Sequence, residues 1–216
     1  MESKFISTPS GKLHAMVAGA GVPTLLLHGS SVEFNSWRTW EKNIDALANV
    51  VRVYALDLLG YGESDKPAPH PDVHGEAKAL LELLEVEKIA RANLVGLSWG
   101  GRIAQLIATT APARVNKLVL VDSGYSQSEE GLARLRQITC PTLIVWDEDD
   151  AVIPVAGAQT LANAIPNSRV RIFQRAERDA DADPNNRHWS QLSHAREWNK
   201  TVVEFLKERV EARDER

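Results

Sequence analysis

Along the chain, short runs of leucine and β-branched residues alternate with stretches whose apolar positions recur every three or four residues. Runs of the first kind predict strands and stretches of the second kind predict amphipathic helices. Lys4 to Thr8 and Leu13 to Val17 flank a Pro9-Ser-Gly-Lys12 turn and predict an opening hairpin. Further strands are predicted over Thr24 to His28, Val50 to Leu56, Ala92 to Leu97, Lys117 to Asp122, Thr142 to Trp146 and Arg169 to Gln174. Helices are predicted over Trp37 to Ala48, Val73 to Leu84, Trp99 to Thr110, Val155 to Ala164 and about Arg196 to Arg213. Ala77, Leu80, Leu81 and Leu84 form the apolar face of the second helix, and Ile103, Leu106 and Ile107 that of the third. Regular alternation of the two kinds predicts an α/β fold: an eight-stranded, mostly parallel sheet flanked by helices, formed by residues 1–216 as one domain.

Composition narrows the function classes. The chain has 216 residues, 44% of them hydrophobic, which is enough apolar material for one core. A net charge of -4 without any block of one sign argues against binding nucleic acid by phosphate neutralisation. No apolar run approaches the roughly 20 residues of a membrane span, and the first residues lack a signal-peptide core, so a soluble, cytoplasmic protein without a membrane partner is expected. The lone Cys140 excludes an internal disulfide and a cysteine-rich metal site and fits a reducing compartment.

The chemistry is concentrated in Gly96-Leu-Ser-Trp-Gly100, where a predicted strand meets a predicted helix. A Gly-x-Ser-x-Gly sequence in that context predicts a nucleophile elbow, a sharp turn that lifts the Ser98 hydroxyl above the sheet at a helix N-terminus, where amide dipoles favour developing negative charge. A plain tight turn carrying an incidental serine is the alternative. His28-Gly-Ser30 follows the third predicted strand, so the backbone N–H groups of Ser30 and Trp99 are the expected oxyanion donors. His28, at the end of a strand, reads as a structural histidine bound to neighbouring loops. Gly19-Ala-Gly21 lacks the third glycine of a dinucleotide fingerprint and reads as a turn. His70 and His74 match no zinc pattern, and no cofactor is expected.

His28-Gly-Ser30, Asp57-Leu-Leu-Gly-Tyr-Gly-Glu-Ser-Asp65, Gly96-Leu-Ser-Trp-Gly-Gly101, Pro141 to Trp146 with Asp150 and Pro154, and His188-Trp-Ser-Gln-Leu192 together resemble the α/β-hydrolases in family order. The branch resembled includes esterases, haloalkane dehalogenases and carbon-carbon bond hydrolases, and the resemblance covers almost the whole chain. It implies a triad of Ser98, Asp150 and His188. Dehalogenases carry an aspartate at the elbow, so Ser98 implies an acyl-enzyme route. Asp150 is selected by lying four residues before Pro154, with Asp149 and Asp122 as alternatives. Asp147 stands where the family usually has glycine, and both it and Glu148 read as part of a solvated acidic turn. His194 reads as a solvent-facing residue near the start of the last helix.

Two departures from the family stand out. Arg175 to Arg187 replaces a short approach to the histidine and reads as a mobile, dispensable acidic loop. Its Asp179, Asp181 and Asp183 imitate the start of a calcium loop, but Pro184 occupies the glycine position and Ser190 that of the glutamate, so no metal is expected. Relatives insert a helical lid after the strand ending at Asp122, whereas here residues 123–139 can form only one short helix. That leaves Phe34, Tyr125 and Trp189, with Trp99, as expected walls of an open substrate pocket. The activity expected is hydrolysis of carboxylic esters, with a small-molecule ester or a carrier-bound acyl group as substrate. Thioester, lactone, perhydrolase or carbon-carbon chemistry would use the same residues. A binding protein that kept the fold and lost the activity is the alternative of another class.

Overall fold

The computed structural model describes residues 1–31 and 35–209. Strands β1 (Glu2–Thr8), β2 (Gly11–Ala18) and β3 (Pro23–Leu27) are followed by helices α1 (Ser36–Trp40) and α2 (Ile44–Ala48). Then come β4 (Arg52–Asp57), α3 (Val73–Val86), β5 (Ala92–Leu97), α4 (Trp99–Thr110), β6 (Val115–Val121) and α5 (Glu129–Leu135). The chain closes with β7 (Thr142–Asp147), α6 (Ala156–Ala164), β8 (Ser168–Phe173), α7 (Ser190–Ser193) and α8 (Ala195–Lys207). The sheet order is β1-β2-β4-β3-β5-β6-β7-β8, antiparallel only where β2 meets β1 and β4.

Strands β5 and β7 are buried along their whole length, as expected of strands covered by helices on both faces. Leu80, Leu84, Ile103, Ile107 and Leu161, from α3, α4 and α6, fill one face of the sheet. Trp40, Ile44, Leu47, Trp198, Val202 and Phe205, from α1, α2 and α8, fill the other. Truncating a buried aromatic such as Trp198 to alanine would cost about 3–5 kcal/mol by loss of contacts and creation of a cavity. On α3, Leu83 takes a buried place and Leu81 is only half-buried. The buried Lys117 on β6 donates from Nζ to the carbonyls of Phe205, Leu206 and Glu208, satisfying the orphan acceptors at the end of α8 with a cation.

One expected helix is divided. Between α1 and α2 the chain turns at Asn43, which is fully buried and donates from Nδ2 to the Gln191 carbonyl and to Asn199 Oδ1. A buried amide that must reach α7 and α8 bends a segment whose apolar periodicity alone is continuous. The last helix ends at Lys207, and the expected residues 210–213 lie outside the described ones, as does Phe34. The space in which a lid would be inserted, residues 122–141, holds only the seven-residue α5, so the cap is small. Among the described residues no helix is long and apolar enough to cross a membrane.

Candidate active site

Strand β5 runs straight into α4 through Ser98, whose backbone has φ 51° and ψ -110°. A non-glycine residue in so sparsely populated a conformation costs of order 1–3 kcal/mol and persists only when its surroundings impose it. Here they do: Ser98 N donates to the Val121 carbonyl, and the Ser98 carbonyl accepts from Arg102 N and Gly124 N. A Cβ on Gly96 would lie 2.4 Å from the Gly100 carbonyl oxygen, and one on Gly100 would lie 2.4 Å from that of Leu27. Both glycines are therefore required by close backbone approach, and the second packs the first turn of α4 onto the end of β3. That contact sets the loop carrying Gly29 and Ser30 beside the N-terminus of α4, where Trp99 contributes the first helical N–H.

His28 is fully buried. Its Nε2 accepts from Leu58 N (3.0 Å), so Nδ1 carries the proton and donates to the Gly29 carbonyl (2.7 Å). Burial lowers its pKa to about 4, opposed by the Gly29 hydrogen bond and the Asp57 charge, and the ring stays neutral. Its role is to join two loops. Asp57 holds the neighbouring loop together: Oδ1 accepts from Ser36 N, while Oδ2 accepts from Glu63 N and pairs with His14 Nδ1.

The four carboxylates at the end of β7 and in the turn after it have four different fates. Asp150 is buried, its Oδ1 accepting from the amides of Val152 and Ile153 (2.8 Å each) and its Oδ2 lying 2.9 Å from His188 Nδ1. Asp149 pairs with Arg175, and Glu148 accepts from the Arg175 backbone N–H. Asp147 is not in a solvated turn: at 1% exposure it faces Arg178 (3.3 Å) and the Ser193 hydroxyl (3.2 Å), because a carboxylate at the end of a buried strand needs internal partners. His194 likewise does not face solvent. It is fully buried, stacks on Phe173 at 5.4 Å, and uses its ring nitrogens on the Ser193 hydroxyl and the Gln174 carbonyl.

Asp122, the alternative acid, is also fully buried, but its oxygens accept from Asp147 N and Ser190 N instead of binding the imidazole. Burial, reinforced by the Asp150 charge, raises its pKa to about 7 against the Ser190 hydrogen bonds and the charge of His188. Because Ser98 hangs on Val121 and Ser190 on Asp122, the end of β6 gathers the elbow and the histidine loop at one place. For His188, burial lowers the pKa, but the hydrogen bond and charge of Asp150, together with the charge of Asp122, outweigh it and raise the value above 6.5. The other ring nitrogen, Nε2, is buried without a hydrogen-bond partner among the described residues, the Ser98 hydroxyl included. Such contacts are often long without substrate and tighten in the reacting complex.

Tyr125 follows Gly124, the donor to Ser98, and Trp189 follows His188; both are half-buried. The segment read as a mobile loop is tied down along its length. Arg175 and Arg178 meet the acidic turn, Asp179 N donates to the Ser193 carbonyl, and Asp181 pairs with Lys42. Asp179 accepts from Arg196 N and Asp183 from Asn185 N, so the three aspartates turn to three separate partners. No group of three or more His, Cys, Asp or Glu residues arranged for a metal occurs among the described residues. Asn186, which no motif singles out, accepts from both His188 N and Trp189 N.

A mostly parallel sheet with a strained serine between strand and helix defines a hydrolase of the α/β class, and the chain belongs to the alpha/beta hydrolase fold family, whose model matches residues 22–130. Among the particular proteins it resembles is the 2-hydroxy-6-oxononadienedioate/2-hydroxy-6-oxononatrienedioate hydrolase of Cupriavidus pinatubonensis, 25% identical over 94% of this chain and 95% of that one. Their alignment runs over 287 positions, more than the 216 residues present here, so that relative carries segments without a counterpart in this chain. Two solved structures share the fold: a meta-cleavage product hydrolase from Pseudomonas fluorescens (TM-score 0.81, 20% identity, 94% of this chain and 96% of that one) and the enol-lactonase from Burkholderia xenovorans (TM-score 0.81, 19% identity, 95% and 100%).

Proposed function

We propose that this hydrolase is a serine hydrolase that opens carboxylic esters and lactones through an acyl-enzyme, with Ser98 as nucleophile, His188 as base and Asp150 as the acid that orients it. The observation that carries the reading is the buried Asp150–His188 pair, whose second imidazole nitrogen has no hydrogen-bond partner among the described residues, in a loop hung from the same strand end as the strained Ser98. With Nδ1 donating to Asp150, the neutral ring has its lone pair on Nε2, the atom that would take the Ser98 proton. Asp150 then stabilises the imidazolium while Ser98 Oγ attacks the carbonyl carbon. The N–H groups of Ser30 and Trp99 would receive the charge on the oxygen. His188 returns its proton to the leaving alkoxide, and a water activated by the same nitrogen resolves the acyl-enzyme.

The small cap favours substrates whose carbonyl is reachable without enclosure: small activated esters, lactones, or an acyl group on a larger carrier. Tyr125 and Trp189 would form walls against which it rests. A second reading, hydrolysis of a carbon-carbon bond in a meta-cleavage product, is favoured by the names of the sequence relatives, and the same triad would serve it. Fluorophosphonate labelling followed by a panel of esters, thioesters, lactones and a 2-hydroxy-6-oxo-dienoate separates the readings. Labelling with ester and lactone turnover well above dienoate turnover is expected. A dienoate preference replaces the ester reading with the second, and absence of labelling and of all turnover removes both.

A further inference from the structure

Two of the features that depart from the family pattern, an aspartate at position 147 and a long approach to His188, meet in space. Asp147 is buried at the end of β7, with Oδ1 accepting from Asp149 N and Oδ2 facing Arg178 Nη2 at 3.3 Å, the Ser193 hydroxyl at 3.2 Å and His194 Nδ1 at 3.7 Å. Arg178 comes from the long approach, and its Nη2 also donates to the Asn186 carbonyl. Asn186 is the residue whose side-chain oxygen accepts from the amides of His188 and Trp189. One guanidinium nitrogen thus links the acid strand to the residue that holds the histidine. Next to it, Ala151 N donates to the Arg187 carbonyl, joining the loop of the acid to the loop of the base directly.

We infer that residues 175–187 form a positioning clamp for the base, with Arg178 as its pin and Asp147 as the anchor that the pin requires. Arg175 and Arg178 engage Glu148, Asp149 and Asp147 and leave Asp150 for His188. The aspartate in place of glycine is explained by the clamp: the half-buried guanidinium, at 20% side-chain exposure, gains a carboxylate partner, and the buried carboxylate needs the guanidinium. Arg178 touches neither the imidazole nor the site of reaction and acts through Asn186. The inference rests on the reading of His188 as the base.

The test uses R178M, R178K and the double variant D147N/R178M in the full chain, with the rate of fluorophosphonate labelling, kcat and KM on an activated ester, and thermal melting as readouts. For R178M a fall of about 100-fold in labelling and kcat is expected, with KM almost unmoved, as for a catalytic group displaced by about an ångström. R178K should stay within about threefold of the parent, because one ammonium can donate to both Asp147 and Asn186. The double variant has no uncompensated buried charge and decides the matter should R178M fail to fold; it should remain slow, because the Asn186 carbonyl still lacks its donor. Parent-like labelling by folded R178M or by the double variant overturns the clamp, as does a loss confined to KM. S98A and H188A are measured alongside: if either labels like the parent, the reading of the triad has failed and not the clamp alone.

Discussion

Ser98 is held by its backbone, while its hydroxyl takes no part in the cap of α4. Ser98→Ala should therefore abolish ester hydrolysis and leave the melting temperature unchanged; retained turnover in a clean preparation would remove Ser98 from the nucleophile role. The acid can be assigned by a contrast. Asp150→Asn should lower kcat by about four orders of magnitude, the loss typical when a triad carboxylate is neutralised. Asp149→Asn disturbs only a partly exposed ion pair with Arg175 and should change kcat by less than about threefold. The pH dependence follows from the raised pKa of His188. On the proposed reading of His188 as the base, which works only when neutral, kcat/KM should rise with pH through a value above 6.5, and in Asp150→Asn the limb should move down because the stabilising partner is gone. By the same sign, the stability that the pair contributes is fully present below the unfolded imidazole pKa and lost as pH rises through the folded one. A parent profile with its limb below the ordinary imidazole value of 6.5 would contradict this assignment.

At the scale of elements, α3 carries an untapped buried carboxyl. Glu76 is fully buried, with Oε2 accepting from Leu59 N (3.3 Å) and Oε1 without a partner among the described residues. Burial raises its pKa to about 8 against the Leu59 hydrogen bond. The folded state therefore holds a proton that the unfolded chain releases near 4.5, and stability from this group is lost as pH rises from there through about 8. Glu76→Gln, which keeps the acceptor and removes the titration, should melt several degrees above the parent at pH 9 and close to it at pH 5. Equal melting at both pH values would show that this carboxyl is solvated. Deleting residues 177–183 bears on the histidine loop. On sequence alone the segment is dispensable, but removing Arg178 would strand the buried Asp147 and release Asn186, so the deletion variant should lose activity and melt lower. An active deletion variant with parent stability would return the segment to the status of a spectator loop.

Over the whole molecule, the helices that cover the two sheet faces leave the strand ends bearing Ser98, Asp150 and His188 with only α5 in the place of a lid. Enclosed pockets discriminate by about 10–200-fold per methylene, whereas a site open to water cannot make the substrate contacts such ratios need. Across a series of straight-chain acyl esters of an activated phenol, kcat/KM should therefore change by less than about tenfold per added methylene. A sharp optimum at one chain length would mean that the walls close on substrate more fully than the small cap implies.

The fold and much of the candidate site were legible in the sequence because they rest on local rules. Period-two and period-3.6 patterning reports which residues meet the sheet or the core, and Gly96 and Gly100 are read from sequence because no other residue fits the crowded turn. The ends of β5 and α4 coincide with those expected, whereas the segment from Trp37 to Ala48 breaks at Asn43 for a contact with residues far along the chain. The same separation governs the site. Which of the candidate carboxylates meets His188 depends on partners 25 or more positions away: Arg178 for Asp147, Arg175 for Asp149, and backbone amides for Asp122. Charge along a sequence does not say which charges will be buried together. Asp147 and His194 look solvated and the segment before His188 looks mobile when taken singly; only in the folded chain are the first two buried, with Arg178 of that segment set against Asp147.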